Sequence, residues 1–247
     1  MIGADGVHST IARRLGLAVP SRRLRRIAIV AHMRGVAGLG GYGEMHVSPL
    51  GYAGVAPHAG DLANVSIVVP VEEGRRLVGG RRGVIDFFRS HLADYPRLGE
   101  RLQGAEIVAG PLTTSGLAGR VRRRVDDGLL LIGDAGGYYD PFTGEGLYRG
   151  MRAAQLACDT ASSALEEGDV SAGRLRSYAW HYQREFAPKR LVEIIVHEVT
   201  TRRALFEHVG ARLRRRRHLA DALLGVTGDF LSPYEVLSPW YLARLLV

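Results

Sequence analysis

The chain has 247 residues, 46% apolar and 23% charged, enough for a core of its own but without the roughly 18 successive apolar residues of a membrane span. Its single cysteine, Cys158, excludes an internal disulfide framework. The net charge of +8 is carried by arginine, Lys189 being the only lysine; the arginine runs at 21–26, 120–124 and 212–217 lack the interleaved aromatics of a stacking groove, read as solvated faces, and point to no nucleic-acid partner.

In chain order, residues 1–17 read as the end of a strand, a glycine turn and a short helix. The opening "MIGADGVHST" has no basic segment followed by an apolar one, so no signal peptide is read, and a cytoplasmic location is expected. Residues 26–72 read as an antiparallel sheet. A strand covers 26–36, and further strands are divided by turn signals at Pro49-Leu50-Gly51 and His58-Ala59-Gly60-Asp61. Val65, Ile67 and Val69 alternate with Asn64, Ser66 and Val68, the period of a half-buried strand. Residues 83–94 place Val84, Phe87, Phe88, His91 and Leu92 on one helical face, and Pro96 is expected to end that helix. A strand near 105–113 follows. A helix is predicted over 146–166, and 171–224 is mostly helical, with Leu191, Ile194, Ile195 and Val199 at helical spacing. The tail "SPWYLARLLV" packs on the domain or touches a membrane surface.

The stretch "GLLLIGDAGGYYDPFTGEGLYRGMRAA" (128–154) carries the functional signal. Leu129–Ile132 is an apolar run without polar alternation, as in a parallel strand covered on both faces. Ligands in open α/β sheets sit beyond the carboxyl ends of such strands, and Asp134 lies just past this one. Its carboxylate can accept a hydrogen bond from a ligand hydroxyl. Gly133, Gly136 and Gly137 permit close backbone approach, and Pro141 fixes the loop. Gly144 and Gly146 bare the amides at the start of the next helix, a seat for an electron-rich or anionic group. A plain strand–loop–helix connection needs fewer residues and fewer glycines. Glu145 either caps helix amides or faces solvent. Tyr138, Tyr139 and Phe142 line a ligand pocket or pack under the loop. Cys158 is expected to be a small buried residue. His197-Glu198 lacks the second histidine of a zinc helix, since position 201 is threonine, and no metal site is expected.

"GDAGGYYDPFTGEGLYRGMRAA" resembles the GD motif of flavoproteins with the para-hydroxybenzoate hydroxylase fold, and "GADGVHSTIARRLGL" (3–17) resembles their DG motif, in the same order and with an antiparallel sheet between. The geranylgeranyl-reductase-like branch is the most similar, with Ala12 leaning that way. The resemblance implies a mixed α/β fold. Residues 1–25 and 104–170 would form a partial FAD-binding domain, 26–103 a substrate domain whose sheet roofs the flavin, and 171–247 a C-terminal helical region. It implies FAD as cofactor, NAD(P)H as electron donor and a hydrophobic small-molecule substrate such as an isoprenoid or polyketide. Asp134 would bond the ribityl chain. Gly144 and Gly146, with Gly133, Pro141 and Glu145 about them, would face the flavin pyrimidine edge. Asp5 and Gly6 would lie near the pyrophosphate and the approach of NAD(P)H. Double-bond reduction and oxygen-dependent hydroxylation stay open, and His46 and Tyr52 are the candidate catalytic residues in the sheet.

Two departures accompany the resemblance. The family's GxGxxG unit is expected before residue 1, so the chain reads as N-terminally truncated. The match at Gly38-Leu39-Gly40-Gly41-Tyr42-Gly43 reads as a hairpin loop, because a strand follows it where a helix is required. The branch's Tyr-x-Trp-x-Phe-Pro aromatics are reduced here to Tyr52, Gly54, Ala56 and Pro57, which opens the pocket. The rivals from other classes are a non-catalytic remnant that serves as an interaction module and, after it, an arginine-rich nucleic-acid binder.

Overall fold

The computed structural model describes residues 1–20, 25–74 and 80–246, with the side chains of Pro20 and Arg81 excepted. Of the arginine run at 21–26, only Arg25 and Arg26 fall within the described residues. The chain divides into two units, one formed by Met1–Arg22 with Ala118–Val247 and one by Arg23–Leu117.

The second unit is built on a five-stranded antiparallel sheet. Its spatial order is Glu44–Ser48, Gly51–Pro57, Leu62–Pro70, Arg26–Arg34 and Glu106–Ser115. The period of two at Val65, Ile67 and Val69 is realised in full. These residues, with Ile29, Ala31, Met33, Ala53 and Val55, form one buried face. The helix Gly80–Ala93 covers that face with Phe87, Phe88 and Leu92. The helix stops at Ala93, three residues before Pro96, with Tyr95 extended, as residues before proline are. Pro96 sits at the first turn of a separate helix, Pro96–Arg101, where its missing N–H costs no intrahelical bond. The strand Glu106–Ser115 pairs with Arg26–Arg34 and so groups residues 104–117 with this sheet. The sequence had placed that segment with the other unit, because a partner about 80 residues away leaves no local mark. The Gly38–Gly43 match lies in the connection between the Arg26–Arg34 and Glu44–Ser48 strands, with no helix after it.

In the first unit, Leu129–Leu131 pairs in parallel with Ile2–Gly3 and antiparallel with Val125–Asp126. All three leucines are buried. Leu129 and Leu131 meet Ala12 and Leu17 on one face, and Leu130 meets Ala153, Ala157, Leu175 and Tyr178 on the other, so apolar side chains suit both faces. The helix Gly146–Glu166 has the bounds its sequence predicts. It packs against the 30-residue helix Ala172–Thr201, whose Tyr178 hydroxyl donates to the Leu131 carbonyl at 2.9 Å and pins the strand end.

The remaining helices, Arg203–Arg215, Arg217–Thr227, Tyr234–Leu237 and Pro239–Leu246, gather around a third core that includes Val192, Val209, Leu219, Val226, Tyr241 and Leu245. The tail helix therefore packs by Tyr241 and Leu245, while Trp240 and Leu246 stay exposed. Leu191 is exposed, and its neighbour Val192 takes the buried position. Cys158, expected to be buried, is instead exposed, off the stripe of Ala153, Ala157 and Ala164 that packs in the core. No helix among the described residues is long and apolar enough to cross a membrane.

Candidate cofactor-binding site

The strand Leu129–Leu131 delivers the chain through Ile132 into a single 3-10 turn, Gly133–Gly136. Gly136 is required by close approach: a Cβ there would lie 2.9 Å from the Leu131 carbonyl oxygen. The loop then runs to a second 3-10 turn, Pro141–Thr143, capped by Asp140, whose Oδ1 accepts from the Phe142 amide at 2.9 Å. Gly144 closes it at a φ of 75°, the left-handed region that glycine enters without strain. Its amide donates to the Pro141 carbonyl at 3.1 Å.

Gly146 begins the next helix with ordinary dihedrals. A Cβ on it would meet no atom within 4 Å, and the same holds for Gly150 one turn later. Neither backbone strain nor packing within the described residues explains a glycine at either position. A glycine inside a helix costs about 1 kcal/mol relative to alanine. The amides of Gly146, Leu147 and Tyr148 donate to no group among the described residues, and no side chain caps the helix. Gly144, Gly146 and Leu147 are exposed. The entrance of a 21-residue helix is thus bare on its outer side.

Asp134 stands beside this entrance. The Gly133–Gly136 turn packs on the Gly146–Glu166 helix closely enough that a Cβ at Gly133 would lie 3.7 Å from Gly150 Cα. The Asp134 side chain reaches solvent, and its carboxylate makes no hydrogen bond among the described residues. Partial desolvation pushes its carboxyl above the usual range, against the pull of Arg149. A carboxylate held this way gains from a ligand hydroxyl. The donor set therefore fits a flavin: bare helix-entrance amides for an electron-rich ring edge, an acceptor for a hydroxylated chain, and glycines where side chains would obstruct approach.

Glu145 does neither of the two things its position suggested. It does not cap the helix and does not face solvent: its side chain is only 4% exposed and lies 3.6 Å from the Arg149 guanidinium. Arg149 also pairs with Glu193 of the long helix, where both side chains are buried. Around them lie Lys189, paired with Asp229, and Asp140, whose Oδ2 is 3.5 Å from His197 Nδ1. Burial and the neighbouring Glu193 raise the Glu145 carboxyl, opposed by Lys189 and Arg149, and burial likewise raises Glu193. Desolvation lowers Lys189. This ionic cluster under the loop escaped the sequence reading. The Glu145–Arg149 spacing of four was a local sign, but Glu193 lies 44 residues from Arg149 and nothing in its own segment marks it. Tyr139 stacks edge-on against His197 and carries Arg190 over its ring, so it packs under the loop with this cluster.

Asp5 is occupied by its own helix. Its carboxylate accepts from the amides of Thr10 at 2.7 Å and Ile11 at 3.2 Å, while Ser9 Oγ accepts from Ala12 at 2.9 Å. Burial would raise the Asp5 carboxyl, but the hydrogen bonds from Ser9, Ile11 and Thr10 outweigh it and hold it below its usual range. Gly6 supplies the turn at a φ of 78°.

His46 and Tyr52 do not share a site. In the sheet His46 pairs with Ala53, on the face turned to the helices, and Tyr52 pairs with Val47, on the opposite face. His46 Nε2 is 3.2 Å from Glu44, itself clamped by Arg101, and its ring stands edge-on to Tyr95. Gly54 and Ala56 lie on the Tyr52 face, opposite Ser66 and Asn64.

No protein-family model matches the chain. The fold is shared with solved flavoproteins. A flavoprotein/dehydrogenase from Cytophaga hutchinsonii is similar over 100% of this chain and 59% of its own, with a TM-score of 0.72 and 17% identity. The halogenase PltM, solved with phloroglucinol and FAD, is similar over 99% of this chain and 52% of its own, with a TM-score of 0.70 and 17% identity. The flavin-dependent halogenase CmlS is similar over 76% of this chain and 34% of its own, with a TM-score of 0.68 and 21% identity. The class of fold is thereby set: it is the fold of these solved flavoproteins.

Within that class the sequence relatives are narrower. Digeranylgeranylglycerophospholipid reductase 2 of Methanothermobacter thermautotrophicus is 30% identical over 194 residues, 75% of this chain and 46% of the relative. Digeranylgeranylglycerophospholipid reductase 1 of Methanococcoides burtonii is 30% identical over 208 residues, 80% of this chain and 47% of the relative. The chain is a homologue of these geranylgeranyl-reductase-like proteins and spans a little under half of their length.

Proposed function

We propose that the chain is the flavin-holding and substrate-facing part of an FAD-dependent oxidoreductase that reduces double bonds of an isoprenoid lipid, with NAD(P)H as electron donor. The observation that carries the reading is the pairing of bare amides at Gly146 and Leu147 with the unpartnered carboxylate of Asp134. FAD supplies the redox chemistry when bound. The chain's own residues bind and orient it. The helix entrance stabilises negative charge on the ring edge nearest it. Asp134 accepts from a hydroxyl of the cofactor's chain, a charged-acceptor bond of about 1.5–3 kcal/mol. The Asp140 cap and Pro141 hold the loop that presents Gly144. Substrate contact is assigned to the Tyr52 face of the sheet, which also carries Gly54 and Ala56. The names of the sequence relatives support an isoprenoid lipid as that molecule.

The experiment is anaerobic incubation of the flavin-loaded protein with an electron donor and a digeranylgeranyl glycerophospholipid, followed by mass spectrometry. The reading expects the lipid to gain a pair of hydrogens per reduced bond without oxygen. Lipid left unchanged anaerobically but hydroxylated in air, with matching oxygen consumption, would replace it with monooxygenation. A protein that takes up no flavin would favour the interaction-module reading.

A further inference from the structure

The helices Gly146–Glu166 and Ala172–Thr201 and the segment at Pro233 and Tyr234 frame an open cleft of about 360 Å³. His181, Arg184, Glu185 and Pro188 supply one wall, at the spacing of three and four that puts residues on one helical face. Arg152 and Leu156 supply another by the same rule. The cleft is apart from the candidate flavin site. Each residue of a helix turns by about 100°, so Arg152 lies about 200° around its helix from Gly150, on the side away from the Gly133–Gly136 turn.

Among the described residues, two arginines and a histidine line the cleft against a single acid. The acid is already matched. Glu185 accepts from Arg152 Nε at 3.3 Å and Nη2 at 3.4 Å, and from the Tyr148 hydroxyl at 3.4 Å. Arg184 is not matched: its side chain makes no hydrogen bond or ion pair among the described residues. Its guanidinium carbon instead lies over the Trp180 ring, 5.4 Å from the centroid. An arginine held by its face keeps its in-plane N–H groups, the fork that fits a phosphate. Trp180 also holds His181, edge-on at 4.9 Å. Neither the His181 ring nor the Tyr234 hydroxyl on the facing segment hydrogen-bonds a described residue. Three donors without acceptors therefore meet in one cleft. Pro188 stands in the wall although a proline inside a helix costs about 3 kcal/mol. Its ring, with Leu156 and Pro233, gives the cleft an apolar side.

We propose that this cleft binds a phosphate monoester, the anion held by Arg184, His181 and the Tyr234 hydroxyl, and the group that carries it lying against Leu156, Pro188 and Pro233. The test is isothermal titration calorimetry of the intact protein with glycerol 3-phosphate at physiological ionic strength, with glycerol as the uncharged control. Saturable binding is expected for glycerol 3-phosphate and none for glycerol. Arg184→Gln should weaken it at least tenfold. Arg214→Gln makes the same change of charge at an exposed position that does not line the cleft, and should leave it unchanged. Tyr234→Phe, which removes only the hydroxyl, should give a smaller loss than Arg184→Gln. Arg184 is exposed and pairs with no acid, so its variant should melt with the parent. Flotation with phosphatidylcholine vesicles containing phosphatidic acid identifies the source of the monoester. Retention that is lost in Arg184→Gln assigns a lipid headgroup, and binding of glycerol 3-phosphate without retention assigns a free ester. Saturable binding of neither probe, or equal losses in Arg184→Gln and Arg214→Gln, overturns the proposal.

Discussion

Arg149 donates to the carboxylate of Glu193 across 44 residues of sequence, tying the helix that opens the candidate flavin site to the long helix Ala172–Thr201. Both side chains are nearly inaccessible, at 7% and 4% exposure, and Glu145 at 4% completes the triad.

Removing the cation while leaving both acids should be severe. Arg149→Met strands two buried carboxylates and is expected to cost about 3–5 kcal/mol, read from urea unfolding. Replacing the triad together by apolar residues of similar volume should recover most of that loss. A single variant as stable as the parent would show that the cluster is solvated and unimportant to the fold.

The same cluster sets a pH dependence. Glu145 and Glu193 both have carboxyls raised above the ordinary value of 4.5. The folded state therefore holds protons that the unfolded chain has released. Stability contributed by these groups is present at low pH and declines as pH rises from 4.5 through their raised values. Glu145→Gln, which cannot ionise, should flatten that decline and leave the protein more stable at neutral pH. The midpoint of thermal unfolding followed across pH measures this, and parallel curves for parent and variant would contradict it.

Asp5 has the opposite sign. Its carboxyl is held below its ordinary value of 3.8, so its contribution is complete above that value and disappears as pH falls through the lowered one. Asp5→Ala removes the acceptor of the Thr10 and Ile11 amides and should cost about 0.5–2 kcal/mol at neutral pH, as loss of an N-terminal cap does. Comparable stability of the two proteins at pH 7 would mean the cap is idle.

The placement of His46 and Tyr52 on opposite faces separates their effects. Tyr52→Ala should raise KM for a hydrophobic substrate, while His46→Gln, which removes the tie to Glu44 and the edge-on contact with Tyr95, should leave KM and kcat near parental values. Equal losses from both substitutions would contradict the assignment of the Tyr52 face.

What the sequence disclosed was whatever its neighbours in the chain decide. The alternation at Val65, Ile67 and Val69, the doubly covered Leu129–Leu131 and the helix from Gly146 all follow from local pattern. Two of the misreadings come from a partner distant in sequence. Glu106–Ser115 joined the sheet through Arg26–Arg34, and Glu145 turned inward because Arg149 is already bound to Glu193. Cys158 was read as buried although Ala153, Ala157 and Ala164 hold the packed stripe of its helix. The chain departs from the pattern of helix formers at Gly146 and Gly150, and each opens space that no described residue fills. Departures of that kind mark sites more reliably than the regular stretches do.

The central claim is that the entrance of the Gly146–Glu166 helix, with Asp134 beside it, holds a flavin. The most direct measurement is a titration of FAD with the protein, following flavin fluorescence, in parallel with Asp134→Ala. The account predicts saturable quenching by the parent and binding weaker by about tenfold or more in the variant, the equivalent of losing a charged-acceptor bond of about 1.5–3 kcal/mol. Flavin fluorescence that the parent leaves unchanged, or quenching identical in Asp134→Ala, would contradict it.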